Sequence, residues 1–375
     1  MNNQIKQGVK KPPVISIGVI SWLRKNLFST WYNVVFSLLG IYILYLAIPP
    51  IFQWAILDAV WSGDDRTVCE WYDENKVKYR AGACWLYIKV WFNFFTYGFY
   101  PDELQWRINL AFIILAVATA LLFIPNLKNK HYVGIFLFAV YPIIAFFLLS
   151  GNESLGLEHV GTHKWGGLFL TFLLGSIGIV FALPLGIVLA LGRRSKLPVV
   201  SILSVMFIEF WRGIPLITVL FFAAVMFPLF VPQGIEIDNL LRCIVGLTVF
   251  GGAYMAEVVR GGLQALPKGQ YEAAQAVGLG YWSMTALVIM PQALRIVIPG
   301  IVNTFIGLFK DTTLVFIISL MDLLLTVFTS MSNPDWMGFP FEGYVFTALI
   351  YFSICFSLSR YSLRVEKKLM VAHQK

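Results

Sequence analysis

The constraint that bears hardest on this chain is its succession of apolar runs, each about as long as a bilayer is thick. A membrane helix needs roughly 20 mostly apolar residues, within about 17–25. Six runs qualify readily, at 34–57, 108–124, 132–149, 165–191, 214–231 and 343–361. A seventh, 240–259, qualifies if Arg242 snorkels at one end and Glu257 at the other. The composition agrees, with 58% hydrophobic and 13% charged residues where a soluble domain averages about 45–50% and 25%. In water such a chain would expose large apolar patches. A soluble enzyme, a disordered protein and a nucleic-acid binder are excluded on this ground, and the net charge of +8 lies in short basic clusters between apolar runs, which suits topology anchoring.

The stretch 292–331 is interrupted by Lys310 and Asp311. As one helix it would measure about 60 Å, twice the hydrocarbon thickness, so it is either two spans or one span plus a piece that turns back. Basic residues favour the inner side. Lys6, Lys10, Lys11, Arg24 and Lys25 precede the first span, which puts the N-terminus inside. Alternation then places Lys128, Lys130, Arg193, Arg194, Lys196, Arg260, Lys268 and Arg295 inside. The tail with Arg360, Arg364, Lys367, Lys368 and Lys375 joins them only if 292–331 crosses once. The expectation is an all-α membrane protein with about eight spans and both termini cytoplasmic. No removable signal peptide is visible, because the first run is too long for one.

Composition divides the chain near 150–164, a polar segment with Gly151, Gly156 and Gly161. Residues 1–160 hold three spans and a long outer loop, 58–107, rich in aromatics from Trp85 to Tyr100. Those rings suit either the headgroup level or packing against the outer leaflet. Cys69 and Cys84 fall on the oxidising side in this topology, where they can form a disulfide. Cys243 and Cys355 read as apolar residues inside spans. Residues 161–375 hold five spans and nearly all the polar residues embedded in them. His159 and His163 have the i, i+4 spacing of metal ligands, but Gly161 between them and their place in a short outer loop argue for a solvated turn. No phosphate-binding G-x-x-x-x-G-K-[ST], H-E-x-x-H or G-x-S-x-G occurs. No nucleotide, metal or other cofactor is therefore expected on this chain, and no catalysis.

The cytoplasmic loop 260–291 is long and mostly helix-forming. Pro267 suits a first turn, Glu272 to Ala276 favour helix, Gly278 and Gly280 punctuate, and Trp282 to Met290 begin a second helix that meets the next span at Pro291. By periodicity this is a helix–turn–helix outside the membrane, either an amphipathic connector or a seat for another protein.

The segment resembles the EAA loop of ABC importer permeases, with pattern E-A-A, three residues, G, nine residues, I-x-L-P. Glu272, Ala273, Ala274, Gly278 and Pro291 stand at those places, with Val288 for Ile and Met290 for Leu. Three further segments are similar to the polar amino acid permease family. They are Glu209 to Leu216 with Arg212, Gly213 and Pro215; Tyr254 to Gly262 with Glu257 and Arg260; and Lys310 to Leu314, which matches K-D-T-S-L with Thr313 for Ser. With its three-span head the chain resembles the M-type permease subunit of general L-amino acid importers.

The resemblance implies a type I importer core at 161–375 behind an N-terminal extension, 1–160. It implies a second permease subunit, a cytoplasmic ATPase dimer that uses ATP and Mg, and a periplasmic amino acid-binding protein, in a bacterial inner membrane. Glu272 would anchor the docked coupling helix, Ala273 and Ala274 would allow close approach, and Gly278 would supply the turn. For the substrate path the candidates are Lys310, Asp311, Thr312 and Asp322, since charges at bilayer depth usually face a cavity or a partner. The plainer reading makes Lys310–Asp311 a structural pair and puts Asp322 at the outer interface. Glu209 and Arg212 are expected to form a helix-junction network, with 197–210 lying at the interface before span 214–231. A permease for another solute, an ion-coupled transporter and an intramembrane enzyme are the rival readings; the last two leave the EAA loop unexplained.

Overall fold

A computed structural model describes residues 18–72, 78–79, 82–124, 127 and 129–373. It forms two compact units, Met1–Leu86 and Tyr87–Lys375. The division falls within a helix, upstream of the polar segment at 150–164 where the composition changes.

In the first unit, α1 (Val19–Asn26) carries exposed Val19, Ile20 and Trp22 and ends on Arg24 and Lys25. α2 (Trp31–Phe52) continues through one wide π turn, Gln53–Leu57. It is apolar on every side and buries no residue, the pattern of a helix whose surroundings are lipid. β1 (Trp71–Tyr72) and β2 (Lys78–Tyr79) pair antiparallel. Cys69 and Cys84 are joined by a disulfide with Cα atoms 5.7 Å apart. The Trp85 indole donates to the Ala55 carbonyl at 2.8 Å.

The second unit begins inside α3 (Trp85–Tyr97). α4 (Gln105–Phe123) follows, and then α5 (Lys130–Ile135), which runs into α6 (Tyr141–Ser150) through a wide turn. Next come α7 (Gly167–Arg193), α8 (Pro198–Gly213), α9 (Leu216–Phe221) and α10 (Asn239–Ala265). α11 (Lys268–Ala276), α12 (Tyr281–Met284) and α13 (Met290–Asp311) lead to β3 (Met321–Asp322), α14 (Leu323–Met331) and α15 (Pro340–His373).

Seven described helices are long and apolar enough to cross a membrane, and α8 with α9 makes an eighth if that bent pair is one span. The pair bends by 101°. Its cause is local: Pro215 disfavours helix at the residue before it, and Ile214 is extended, with φ −107° and ψ 135°. α7 and α10 form the centre of the unit. At Gly186 an added Cβ would lie 2.6 Å from the Met255 Cβ, so only glycine permits this approach, as small residues do between membrane helices. Leu170, Leu174, Leu247 and Val315 pack around one half of the pair; Met255, Val259, Leu263 and Ala293 pack around the other.

Two boundaries differ from expectation. Lys310 and Asp311 do not break the helix. α13 passes through both, tightens into a 3-10 helix over Thr312–Ile318, and stops at Ser319, whose φ of 61° is left-handed. The rest, α14, is a separate short helix. Pro291 does stand in the first turn of α13, but no break in helix marks the place. The chain is helical from Tyr281 to Ile318, and a wide turn at Thr285–Ile289 precedes the proline, whose ring would clash with a carbonyl four residues back in a regular helix.

Candidate coupling site and translocation path

α11 is a short helix between α10 and the long helical stretch that begins at Tyr281. Pro267 caps it in extended geometry, and Ala274 alone among its residues is buried. Glu272 and Ala273 are exposed. The helix ends in a Schellman motif: Gly278 N–H donates to the Gln275 carbonyl at 2.9 Å and Leu279 N–H to the Ala274 carbonyl at 3.2 Å. Gly278 has φ 82°, the left-handed region that glycine occupies without cost. Leu279 then packs with Ala274 against Leu263 and Met284. On either side of the turn, Val277 before it and Trp282 and Leu287 after it are more than 70% exposed. The knuckle thus presents one acid, small alanines and bulky apolar side chains to whatever lies beneath it.

The knuckle is tied to the bundle by polar contacts. Arg194, at the end of α7, donates to the Leu263 carbonyl and to the Tyr271 hydroxyl, both at 2.9 Å, and lies over the Tyr271 ring. Gln292 of α13 donates to Gln270 of α11 at 3.0 Å. These contacts join α11 to the ends of α7 and α13 and to the Leu263 carbonyl of α10.

Beside it is an ionic cluster. The Glu257 carboxylate, largely buried, accepts from Arg193 at 2.9 Å, pairs with Arg212 at 3.3 Å and accepts from Arg260. Arg193 also reaches Glu209 at 3.1 Å, and Arg212 lies over the Tyr254 ring. Glu209 and Arg212 thus meet through Arg193 and Glu257, linking the ends of α7 and α8 to α10. Sequence reasoning missed Arg193 and Arg194 in this role. Their partners lie 16–77 positions away, and no local pattern signals contacts at that separation.

The remaining sequence candidates are spread out. Lys310 is exposed, Asp311 half-buried, and no ion pair joins them among the described residues. The Thr312 hydroxyl, fully buried, donates to the Phe309 carbonyl at 2.7 Å and lies 3.5 Å from the Tyr351 hydroxyl. Asp322 is fully buried and caps α14, accepting from Leu324 and Leu325 N–H at 3.2 and 3.0 Å. β3 runs beside Gly166 and Gly167 at the start of α7. Among the described residues no group of His, Cys, Asp and Glu is arranged to hold a metal ion.

The long apolar helices of this bundle are those of a multi-pass membrane protein, and its relatives give its class as an importer's transmembrane subunit. The chain belongs to the family of inner membrane components of binding-protein-dependent transport systems, whose sequence model matches residues 182–371. It is 52% identical over 348 residues to the inner membrane amino-acid ABC transporter permease protein YhdY of Escherichia coli K12, covering 92% of each chain. It is 38% identical to the glutamate/glutamine/aspartate/asparagine transport system permease protein BztC of Rhodobacter capsulatus, covering 96% of each. A solved structure described as an amino acid ABC transporter with histidines is 28% identical, covering 54% of this chain and 92% of that one with a TM-score of 0.48. The protein is a multi-pass permease of the inner membrane and a translocation subunit. ATP is hydrolysed by a separate ATPase, and a substrate-binding protein delivers the solute.

Proposed function

We propose that this chain moves L-amino acids, polar or of broad range, from periplasm to cytoplasm, together with a second permease subunit, a cytoplasmic ATPase dimer and a periplasmic amino acid-binding protein. Both termini are cytoplasmic in this reading. ATP and Mg act only in the ATPase. The observation that carries the proposal is α11: a capped helix outside the spans, with Glu272, Ala273 and Ala274 on it and Gly278 at its left-handed end, hydrogen-bonded to α7 and α13.

Docked in a groove of the ATPase, α11 would take up the motion of the ATPase pair as it closes on ATP. Arg194 and Gln292 would pass that motion to the spans. Transport then requires that ATP and the loaded binding protein favour the same conformer. The cluster of Glu257, Arg193, Arg212, Arg260 and Glu209 keeps α7, α8 and α10 moving together. Lys310 and Asp311, where α13 tightens, remain candidates for the substrate path, with Thr312 behind them; Asp322 serves the path by holding α14.

Purification of the tagged chain in mild detergent tests the assembly. An ATPase and a second permease should co-purify, and Val277→Cys should cross-link to the ATPase. Cross-links from residues 265–290 that reach no ATPase would remove the coupling role.

A further inference from the structure

Arg242 lies one turn inside the span Asn239–Ala265. A cation at the edge of a span ordinarily snorkels to water or finds an acid. Arg242 has no ion pair among the described residues. One of its terminal nitrogens instead donates to two main-chain carbonyls, Ala223 at 3.1 Å and Ala224. Both carbonyls belong to the wide turn Phe222–Met226 that interrupts the helix after α9. The nearest acid in sequence, Asp238, is engaged with Leu241 N–H and the Thr162 hydroxyl.

One turn earlier, Asn239 donates its amide to the Ile318 carbonyl at 3.2 Å, the last residue of the 3-10 segment after α13. Each of these two side chains keeps one buried atom without a partner: Nε of Arg242, a donor, and Oδ1 of Asn239, an acceptor. Residues three apart share a helix face. This face therefore carries an uncompensated positive charge with a spare donor, next to a spare acceptor, between two interrupted helices. Irregular backbone at membrane depth survives where protein covers it or where it lines a cavity, and interrupted helices mark binding sites in transporters. Capping of the wide turn accounts for one nitrogen of Arg242. It leaves Nε and the Asn239 oxygen unexplained, and unmet buried polar atoms are costly.

We propose that Arg242 and Asn239 form a way-station for the amino acid in transit, Arg242 taking the carboxylate and Asn239 Oδ1 accepting from the ammonium group. This rests on the amino-acid reading above. The two side chains are half-buried, with the spare Nε and Oδ1 covered, and those atoms become accessible when the bundle changes between its inward- and outward-facing conformers. Among the described residues no acid pairs with the guanidinium and so competes with a substrate carboxylate.

The test uses the complete transporter in proteoliposomes with its binding protein, carrying Arg242→Gln, Arg242→Lys or Asn239→Leu. Uptake of a labelled mixture of L-amino acids is measured against ATP hydrolysed. With Arg242→Gln, uptake per ATP should fall roughly 10- to 100-fold, the worth of one hydrogen bond to a charged group. Arg242→Lys, which keeps the charge, should recover most of it, and Asn239→Leu should raise the substrate concentration needed for half-maximal uptake. Wild-type uptake per ATP by Arg242→Gln, or equal impairment of the Lys and Gln variants, would assign the pair to helix packing and overturn the proposal. If Arg242→Gln does not assemble, Asn239→Leu decides, since it leaves the guanidinium on its carbonyls; unchanged half-saturation there overturns the proposal. A wild-type transporter that takes up no amino acid would instead withdraw the amino-acid reading itself, and this site with it.

Discussion

Substitution of Gly278 separates the shape of the coupling helix from its bulk. A Cβ added there meets nothing within 4 Å, so the cost comes from the backbone alone. At φ 82° an ordinary side chain costs about 1–2 kcal/mol. Asn pays least and a β-branched residue most. At about 2 kcal/mol for Gly278→Val, the left-handed turn becomes roughly 30-fold less favourable. The Gly278–Gln275 and Leu279–Ala274 hydrogen bonds then open together, and because Ala274 is the buried anchor of α11, the end of the helix frays. The bundle does not depend on this turn, so the amount of assembled protein on size exclusion should stay unchanged. ATP-driven uptake in proteoliposomes should fall in the order Gly, Asn, Ala, Val. Equal impairment by Asn and Val would show that bulk against the ATPase matters and backbone handedness does not. Full uptake by all three would refute a coupling role for the turn.

Glu257→Gln leaves three guanidinium groups converging on a neutral amide. Removing one partner from a buried ion pair costs about 3–5 kcal/mol; the arginine side chains here are 26–33% exposed, which reduces the expected loss to about 2 kcal/mol. The variant should lose the purified complex at lower temperature than wild type in heated size-exclusion runs, and coincident melting would contradict the convergence described. Gly186→Leu should abolish stable assembly, because its Cβ would sit against Met255 and force α7 from α10. Gly307→Ala, where nothing lies within 4 Å, should express and transport normally. Normal yield of Gly186→Leu would show that α7 and α10 do not approach as described.

The spans were legible because their signal is a single local quantity, the length of apolar chain needed to cross hydrocarbon. The bend before Leu216 was legible too, since Pro215 acts on its immediate neighbour. The EAA segment showed its helix and its turn, because caps and left-handed turns are written within a few residues. Where two local signals opposed each other, the outcome was less readable. Lys310 and Asp311 suggested a break, yet the helix persists to Ile318 and breaks at Ser319. Pro291 suggested a junction, and it does sit in the first turn of α13, but a wide turn ending two residues earlier keeps the chain helical through it.

Sequence alone determined that this chain lives in a bilayer and where its apolar helices fall, because hydrophobic length and helix capping are short-range. Tertiary structure alone decided which charges meet. Arg193 finds Glu257 across 64 residues, Arg242 finds main-chain carbonyls, and Asp322 becomes the cap of α14. A charged side chain in a low-dielectric bundle must be neutralised or hydrogen-bonded, but packing chooses its partner, and packing joins residues that the sequence holds far apart.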